Sequence, residues 1–357
     1  MVQTNSIPIP VLKGRDIITV SDFAEEYREI LIDFDIGTFT EEWQKNESWQ
    51  ISFTVTKTDR NAFTYELIGD ESVIYYKGEK FIVTSLDRQA EGERVTKSVT
   101  ATHQYFQIQH GRQYSTISGN LTIHQCLNHL LGKNDRGITF SVVGNFEKRE
   151  KENFGDVNYL DGVKSILEDY GAILDVTGLH LTFYEPSQFG RQTNEYIRYK
   201  YNTDEIQFQA DTTTLKTQIR GYGKEKSEEE GGGYYFSPVT YTSPRAVDWG
   251  IRIADPIRDE RFTNEASMLA KLKQTLQDYP SISGNVKLGK KMDVQKGDWL
   301  TVIYEPLNIN LQTQIVSYKK FPFLNQPPEI TVSNTQKDII TIQAQLAREI
   351  KKMKRGY

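Results

Sequence analysis

The hydrophobic pattern of the first hundred residues has the period of a half-buried strand. Ile51, Phe53 and Val55 fall on one face, and Ser52, Thr54 and Thr56 on the other. Short runs of the same character follow at Ser72 to Tyr76, Phe81 to Leu86 and Val95 to His103, with Lys77-Gly78-Glu79-Lys80 as a hairpin turn between the first two. Short strands this closely spaced predict a closed or nearly closed barrel, which hides the edges that they would otherwise expose. Residues 1–107 are expected to form that first β-barrel domain.

The period then changes. Leu121, Ile123, Leu127, Leu130 and Leu131 make a helical stripe, with Asn120 as N-cap and Gly132 just past the end. A second helix is marked by Leu160, Val163, Leu167 and Tyr170, capped by Asn158 with Asp161 three residues on and closed by Gly171. A hairpin is predicted next, from Ala172–Val176 to Leu179–Tyr184 across Thr177-Gly178. Residues 108–206 therefore read as an α+β domain.

Strand character returns at Ile206, Phe208 and Ala210, at Leu215 to Tyr222, and from Gly284 to Val332. Residues 207–243 and 284–335 are expected to build a second, discontinuous barrel, interrupted by a helical insertion at 244–283 whose helix runs from a Thr263 cap to Pro280. The acidic, Gly-rich run from Lys224 to Gly233 is expected to be a mobile loop. At the end, Ile339, Ile342, Leu346, Ile350 and Met353 predict a C-terminal helix within 336–357, finished by Lys354 and Arg355, which suit a helix C-terminus. It either packs on its own domain, or begins a threefold coiled coil or a lead into another module. The predicted class is mainly β with α+β insertions: two small β-barrel-like domains plus helical and α+β accessory domains.

Composition narrows the function. With 357 residues, 37% hydrophobic and 25% charged, the chain is long enough for two or three domains. A formal net charge of -5 gives no basic field for gripping nucleic acid. The single Cys126 excludes an internal disulfide and a multi-cysteine zinc site. No run of about 18 apolar residues is present, and Ile7 to Leu12 is too short and Pro-broken for a signal core, so synthesis in a cytoplasm without a membrane anchor is expected.

Catalytic signatures are missing: no phosphate loop, no His-Glu-x-x-His and no Gly-x-Ser-x-Gly. His124 and His129 are five apart, off the i, i+4 spacing that suits a metal on a helix, and His103 and His110 bracket a strand end without partnered ligands. Glu25, Glu26, Glu41, Glu42, Asp255, Asp259 and Glu260 supply carboxylates that a glycosidase would need, but adjacency among 48 acids arises by chance. Trp43, Trp49, Trp249 and Trp299 fill barrel ends or, alternatively, stack on sugars. No catalytic, cofactor-binding or metal residue is assigned, and no cofactor is expected.

Three short strands close the chain: Gly297-Asp298-Trp299 to Tyr304, Gln314 to Tyr318, and Pro327 to Val332. With Ile51 to Thr58, Glu71 to Tyr75, Gly78 to Val83, Val99 to His103, Asp161 to Leu174, Thr217 to Gly223, Tyr241-Thr242-Ser243-Pro244 and the helix reaching Leu276 and Tyr279-Pro280, their order resembles phage tail hub proteins. This is the prophage tail endopeptidase family, the N-terminal region of tail-associated lysins, similar to the baseplate hubs of contractile tails. The resemblance implies a homotrimeric structural protein at the distal tail tip of a virion. Its two similar barrels per copy would match the sixfold tail tube to a threefold tip. Turn-then-strand blocks at Lys77-Gly78-Glu79 and Lys296-Gly297-Asp298 are consistent with two such barrels.

The implied partners are the distal tail protein, the tail tube and tape measure proteins, and a distal fibre or lysin module, with DNA passing through unbound along an acid-rich wall. The family name implies a peptidase. In tail-associated lysins the hydrolytic domain follows the hub region, and this chain stops at Tyr357, so no enzyme is expected. The alternatives are a module binding host cell-wall saccharide and a peptidoglycan-degrading tail lysin.

Overall fold

The computed structural model describes residues 17–203, 205–279, 281–289, 292–305 and 309–333. The chain is mainly β, with several sheets and few helices, as its pattern predicts. It divides into two compact units. Unit 1 comprises Met1–Arg191, Lys287–Asp298 and Ile315–Ile330, and unit 2 comprises Gln192–Val286, Trp299–Gln314 and Thr331–Tyr357. The predicted C-terminal helix lies outside the described residues.

Unit 1 opens with β1 (Thr19–Ser21), β2 (Arg28–Ile30), β3 (Phe34–Gln44), β4 (Ser48–Thr56), α1 (Ala62–Leu67), β5 (Val73–Tyr76), β6 (Glu79–Glu91) and β7 (Arg94–His103). These strands pair in the order β2-β1-β5-β6-β7-β4-β3, every neighbour antiparallel. The path leaves β2 at an edge, and among the described residues no pairing joins it to β3. Alternation along β4 buries Ile51, Phe53 and Val55 at 0%, 2% and 1% exposure, with Phe53 stacked on Phe39 at 6.1 Å. Lys77 and Gly78 both take positive φ, which sets a two-residue turn with Tyr76 opposite Glu79. Lys97 is buried in this domain. Its ammonium donates to the carbonyls of Tyr65 and Ile68 at 2.6 and 2.7 Å, satisfying the end of α1.

A 3-10 helix, Gln104–His110, leads into β8 (Arg112–Leu121), α2 (Ile123–Leu131), β9 (Thr139–Val143), β10 (Arg149–Asn158), α3 (Tyr159–Tyr170), β11 (Ile173–Thr177) and β12 (His180–Tyr184). The α3 caps are those predicted: Asn158 Oδ1 accepts from the Asp161 N–H at 2.9 Å, and Gly171 is left-handed. The start of α2 differs from expectation. Asn120 and Leu121 belong to β8, and Thr122 caps the helix in a reciprocal box with Gln125, because a Thr-x-x-Gln box satisfies two orphan N–H groups at once. Antiparallel β8 and β10 form one ribbon; β11 and β12 form the predicted hairpin, with β9 parallel to β12. The helices, ribbon and hairpin share a core around Cys126, Leu127, Val163, Ile166, Leu181 and Phe183.

In unit 2, β13 (Gln192–Arg198) lies in its own pairing ahead of β14 (Glu205–Asp211), β15 (Gln218–Tyr222), β16 (Val239–Thr242), α4 (Ala246–Trp249), β17 (Ile257–Arg258), α5 (Glu265–Thr275) and β18 (Ser281–Lys287). Three strands follow: β19 (Trp299–Tyr304), β20 (Ile309–Lys320), whose residues from Ile315 on belong to unit 1, and β21 (Glu329–Ser333), of which Glu329 and Ile330 do. The helix α5 is shorter than predicted. Asn264, not Thr263, is its cap, accepting from the Ala266 and Ser267 N–H groups, and it ends at Thr275 before the turn to extended backbone at Leu276. It packs on the small sheet β16-β15-β17 through Met268 and Leu272. A Cβ at Gly221 would meet the Met268 sulfur at 2.5 Å, so this close helix-on-strand contact requires glycine. Within the acidic run, Glu225 bridges Tyr234 and Glu228–Glu230 form a 3-10 turn.

Candidate functional site

Four of the candidate acids are ion-paired among the described residues. Glu25 pairs with Lys80, Glu41 with Lys77, Glu42 with Lys319 and Asp259 with Arg261. Glu41 and Glu42 are consecutive on β3 and so face opposite sides of the sheet. Burial opposes ionisation of Glu41, but the charges of Lys77 and Lys320 outweigh it and hold the carboxyl below the usual range, with the Tyr318 hydroxyl donating at 3.0 Å. Glu26, Asp255 and Glu260 are exposed. His124 is exposed on α2, whereas His129 meets the Ser115 carbonyl at 2.8 Å, so the structure does not bring these two together. His110 is exposed. Trp43 is buried against Tyr318 at 5.6 Å, and Trp249 and Trp299 are half-buried.

The structure does gather one polar cluster, wholly within unit 1. Its centre is Trp49 on β4. The His103 imidazole stacks on the indole with centroids 4.3 Å apart and 15° between planes, and the Lys296 ammonium sits 3.3 Å from its ring centroid. Lys296 also pairs with Asp175 of β11 at 3.1 Å. Glu79, next to the β5–β6 turn, accepts from His103 at 2.9 Å and from the Gly178 N–H at 2.8 Å. Asn46 completes the seam: its amide donates to the Ala172 carbonyl and accepts from the Leu174 N–H, both at 2.9 Å. Residues far apart in sequence thereby tie the first β domain, the β11–β12 hairpin and the 287–298 segment together.

The hydrogen bonds fix the protonation of the cluster. The Tyr105 backbone N–H donates to His103 Nδ1, so that nitrogen carries no proton and Nε2–H is the donor to Glu79. Burial lowers the His103 pKa, with Glu79 opposing, and the ring is neutral at pH 7. Burial works against the Glu79 charge, yet the hydrogen bonds from His103 and Gly178 prevail and lower its pKa. Burial likewise lowers the Lys296 pKa against the pull of Asp175. The adjoining crevice, lined by Trp43, Asn46, Trp49, His103, Phe106 and Lys296, has a cavity volume of about 30 Å³. That is room for about two waters, not a sugar ring.

A second feature joins Arg191 to Asp298. The guanidinium grips the buried carboxylate through two bonds of 2.8 and 2.7 Å. Beside it, a Cβ at Gly190 would lie 1.7 Å from the Gly297 carbonyl oxygen, so the two backbones touch and Gly190, at φ +84, has no room for a side chain. The next residues, Gln192 and Trp299, are the first register partners of parallel β13 and β19. The sequence presents Lys77-Gly78-Glu79 and Lys296-Gly297-Asp298 as turn-then-strand blocks consistent with two barrels; in both, the lysine and the acid are also committed to partners elsewhere.

Three family models match in succession: the prophage endopeptidase tail N-terminal domain at residues 18–103, a prophage endopeptidase tail domain at 110–183 and the prophage endopeptidase tail at 191–343. Among solved structures, a prophage tail protein from Listeria monocytogenes EGD-e is 43% identical, with 94% of this chain and 100% of that one covered and a TM-score of 0.71. The chain belongs to the prophage tail protein family. The family fold extends to sequences that have diverged much further. The 43 kDa tail protein of prophage MuSo2 from Shewanella oneidensis matches at 12% identity, covering 91% of this chain and 100% of that one with a TM-score of 0.59. A tail protein from Neisseria meningitidis MC58 matches at 11%, covering 89% and 96% with a TM-score of 0.57. No curated protein sequence matches the chain. The family's N-terminal and middle models meet at the Trp49 cluster, to which one contributes Asn46, Glu79 and His103 and the other Asp175 and Gly178.

Proposed function

We propose that the chain is a structural hub at the distal tip of a phage tail, a component of the virion that is made in the host cytoplasm. The observation that carries this reading is the 43% identity to a prophage tail protein over 94% of the chain. In the proposed assembly three copies form a ring. Each contributes two β domains, 1–107 and the discontinuous 207–243 with 284–335, so that a sixfold tube meets a threefold tip. The α+β domain at 108–206, the insertion at 244–283 and the terminal helix at 336–357 are its accessory parts. Distal tail, tube and tape measure proteins would lie on one side and a fibre or lysin module on the other.

The hub works by position and not by hydrolysis. Support for this comes from the acids that might have served a glycosidase: Glu25, Glu41, Glu42 and Asp259 are each neutralised by a lysine or arginine. DNA is proposed to pass without specific binding, in keeping with the net charge of -5. Immunogold labelling of phage particles, followed by native mass spectrometry of the purified chain, tests the reading. Label at the distal tip and a trimer are expected; label elsewhere on the particle overturns it. Release of muropeptides from cell walls by the purified chain would overturn the non-enzymatic part.

A further inference from the structure

The hairpin that carries β2 exposes an apolar patch that the core does not use. Phe23, Tyr27, Ile30 and Phe63 are 73%, 57%, 49% and 55% exposed, and Tyr27 meets Phe63 edge-on at 6.1 Å. Ile30 is held beside α1 through the Thr64 hydroxyl, which donates to its carbonyl. Clustered aromatics of this size, in contrast to a scattered apolar residue, mark an interaction surface. Its setting is acidic. From Asp22 to Ile30 the hairpin holds Asp22, Glu25, Glu26 and Glu29 against Arg28 alone.

The charges divide into engaged and available. Arg28 lies over the Tyr75 ring at 3.6 Å, Glu25 is taken by Lys80, and Asp22 accepts from the Tyr27 N–H. On α1 and its approach, Glu66 pairs with Lys57 and Arg60 with Asp33. Glu26 and Glu29 have no ion pair among the described residues, and both are exposed. The patch therefore suits an apolar stripe flanked by positive charge.

The sequence contains one such stripe. Residues 338–357 place Ile339, Ile342, Leu346, Ile350 and Met353 at helical spacing and carry Arg348, Lys351, Lys352, Lys354 and Arg355 against Asp338 and Glu349. We propose that the apolar, acidic face around Tyr27 and Phe63 docks the basic C-terminal segment, 338–357, of a second copy of this chain. A patch that receives a different segment of its neighbour is a head-to-tail contact, the kind that closes copies into a ring. The inference thus rests on the oligomeric reading above and names the surface that serves it.

The test uses the full chain with Phe63→p-benzoylphenylalanine, and Glu29→p-benzoylphenylalanine as a second probe; both positions are exposed, so neither substitution threatens the core. After irradiation, the expected product is an intermolecular link whose partner peptide falls within 338–357. With the Phe63 probe its yield should fall tenfold or more when Glu26→Lys and Glu29→Lys are added, and with either probe it should fall in 0.5 M salt, which screens exposed charges beyond about 3–5 Å. Native mass spectrometry of the same samples separates the two ways to fail. An oligomer whose links map to any other segment, including the same hairpin of another copy, overturns the docking alone; a monomer without links overturns both the docking and the ring.

Discussion

The first β domain and the cluster around α5 bury their side chains in very different ways. The domain at 18–101 encloses sixteen buried residues, with Phe39, Phe53, Tyr76 and Phe81 at its heart. Around α5 the described residues form a smaller apolar cluster, in which Ile219, Met268, Leu272 and Leu276 are buried and Phe236 and Ile257 are half-buried. Each fully buried aliphatic or aromatic side chain contributes about 1.5–3 kcal/mol. Four such residues bury far less apolar surface than sixteen, which can sustain a domain. The difference predicts a β domain that opens less readily than the helix-on-sheet cluster around α5.

Deleting a core ring from the first β domain should have the largest effect. Phe53→Ala is expected to cost about 3–5 kcal/mol, read as a lowered urea midpoint with an unchanged slope. Leu272→Ala should cost about 2–4 kcal/mol locally. Hydrogen exchange should then speed up across 215–276 while β4 and β7 keep their protection; equal loss of protection in both regions would break the comparison. Next is Lys296→Gln, which strips Asp175 of its partner and Trp49 of its cation. We expect about 1–3 kcal/mol, measured by urea unfolding, with faster exchange in β11 and β12.

The smallest effect is a pH dependence. His103 is held neutral by burial, so as pH falls below about 6.5 the unfolded chain takes up its proton first. Stability should decline from that point with a slope of at most about 1.4 kcal/mol per pH unit, until the folded imidazole also protonates. Glu41 and Glu79 have lowered folded pKa values, so their contribution is present above the normal carboxylate range and is lost only under stronger acid. His103→Gln keeps an N–H for Glu79 and should flatten the slope near pH 6. A slope that survives this substitution would remove His103 as its source.

Short-range features were the legible ones. The alternation along β4, the turn at Lys77-Gly78 and the caps of α3 are each written within a dozen residues, and all are present. The start of α2 was misread because Leu121 fits the helical stripe, although Thr122 and Gln125 carry the box that marks the true boundary. The ribbon β8–β10 escaped notice because its strands are polar and solvent-facing, with little alternation to read. The Trp49 cluster could not be seen locally. Lys296 and Asp175 are 121 residues apart and Asn46 and Leu174 are 128 apart, so no window of pattern contains both members of either pair.

The stacking on Trp49 also makes this side chain an optical gauge. A neutral imidazole stacked at 4.3 Å and an ammonium 3.3 Å from the ring centroid set the surroundings of its excited state. Emission from this indole is therefore expected to change when His103 or Lys296 departs. Opening of the seam between the first β domain and the β11–β12 hairpin can be timed by intrinsic fluorescence, with no label added to the chain.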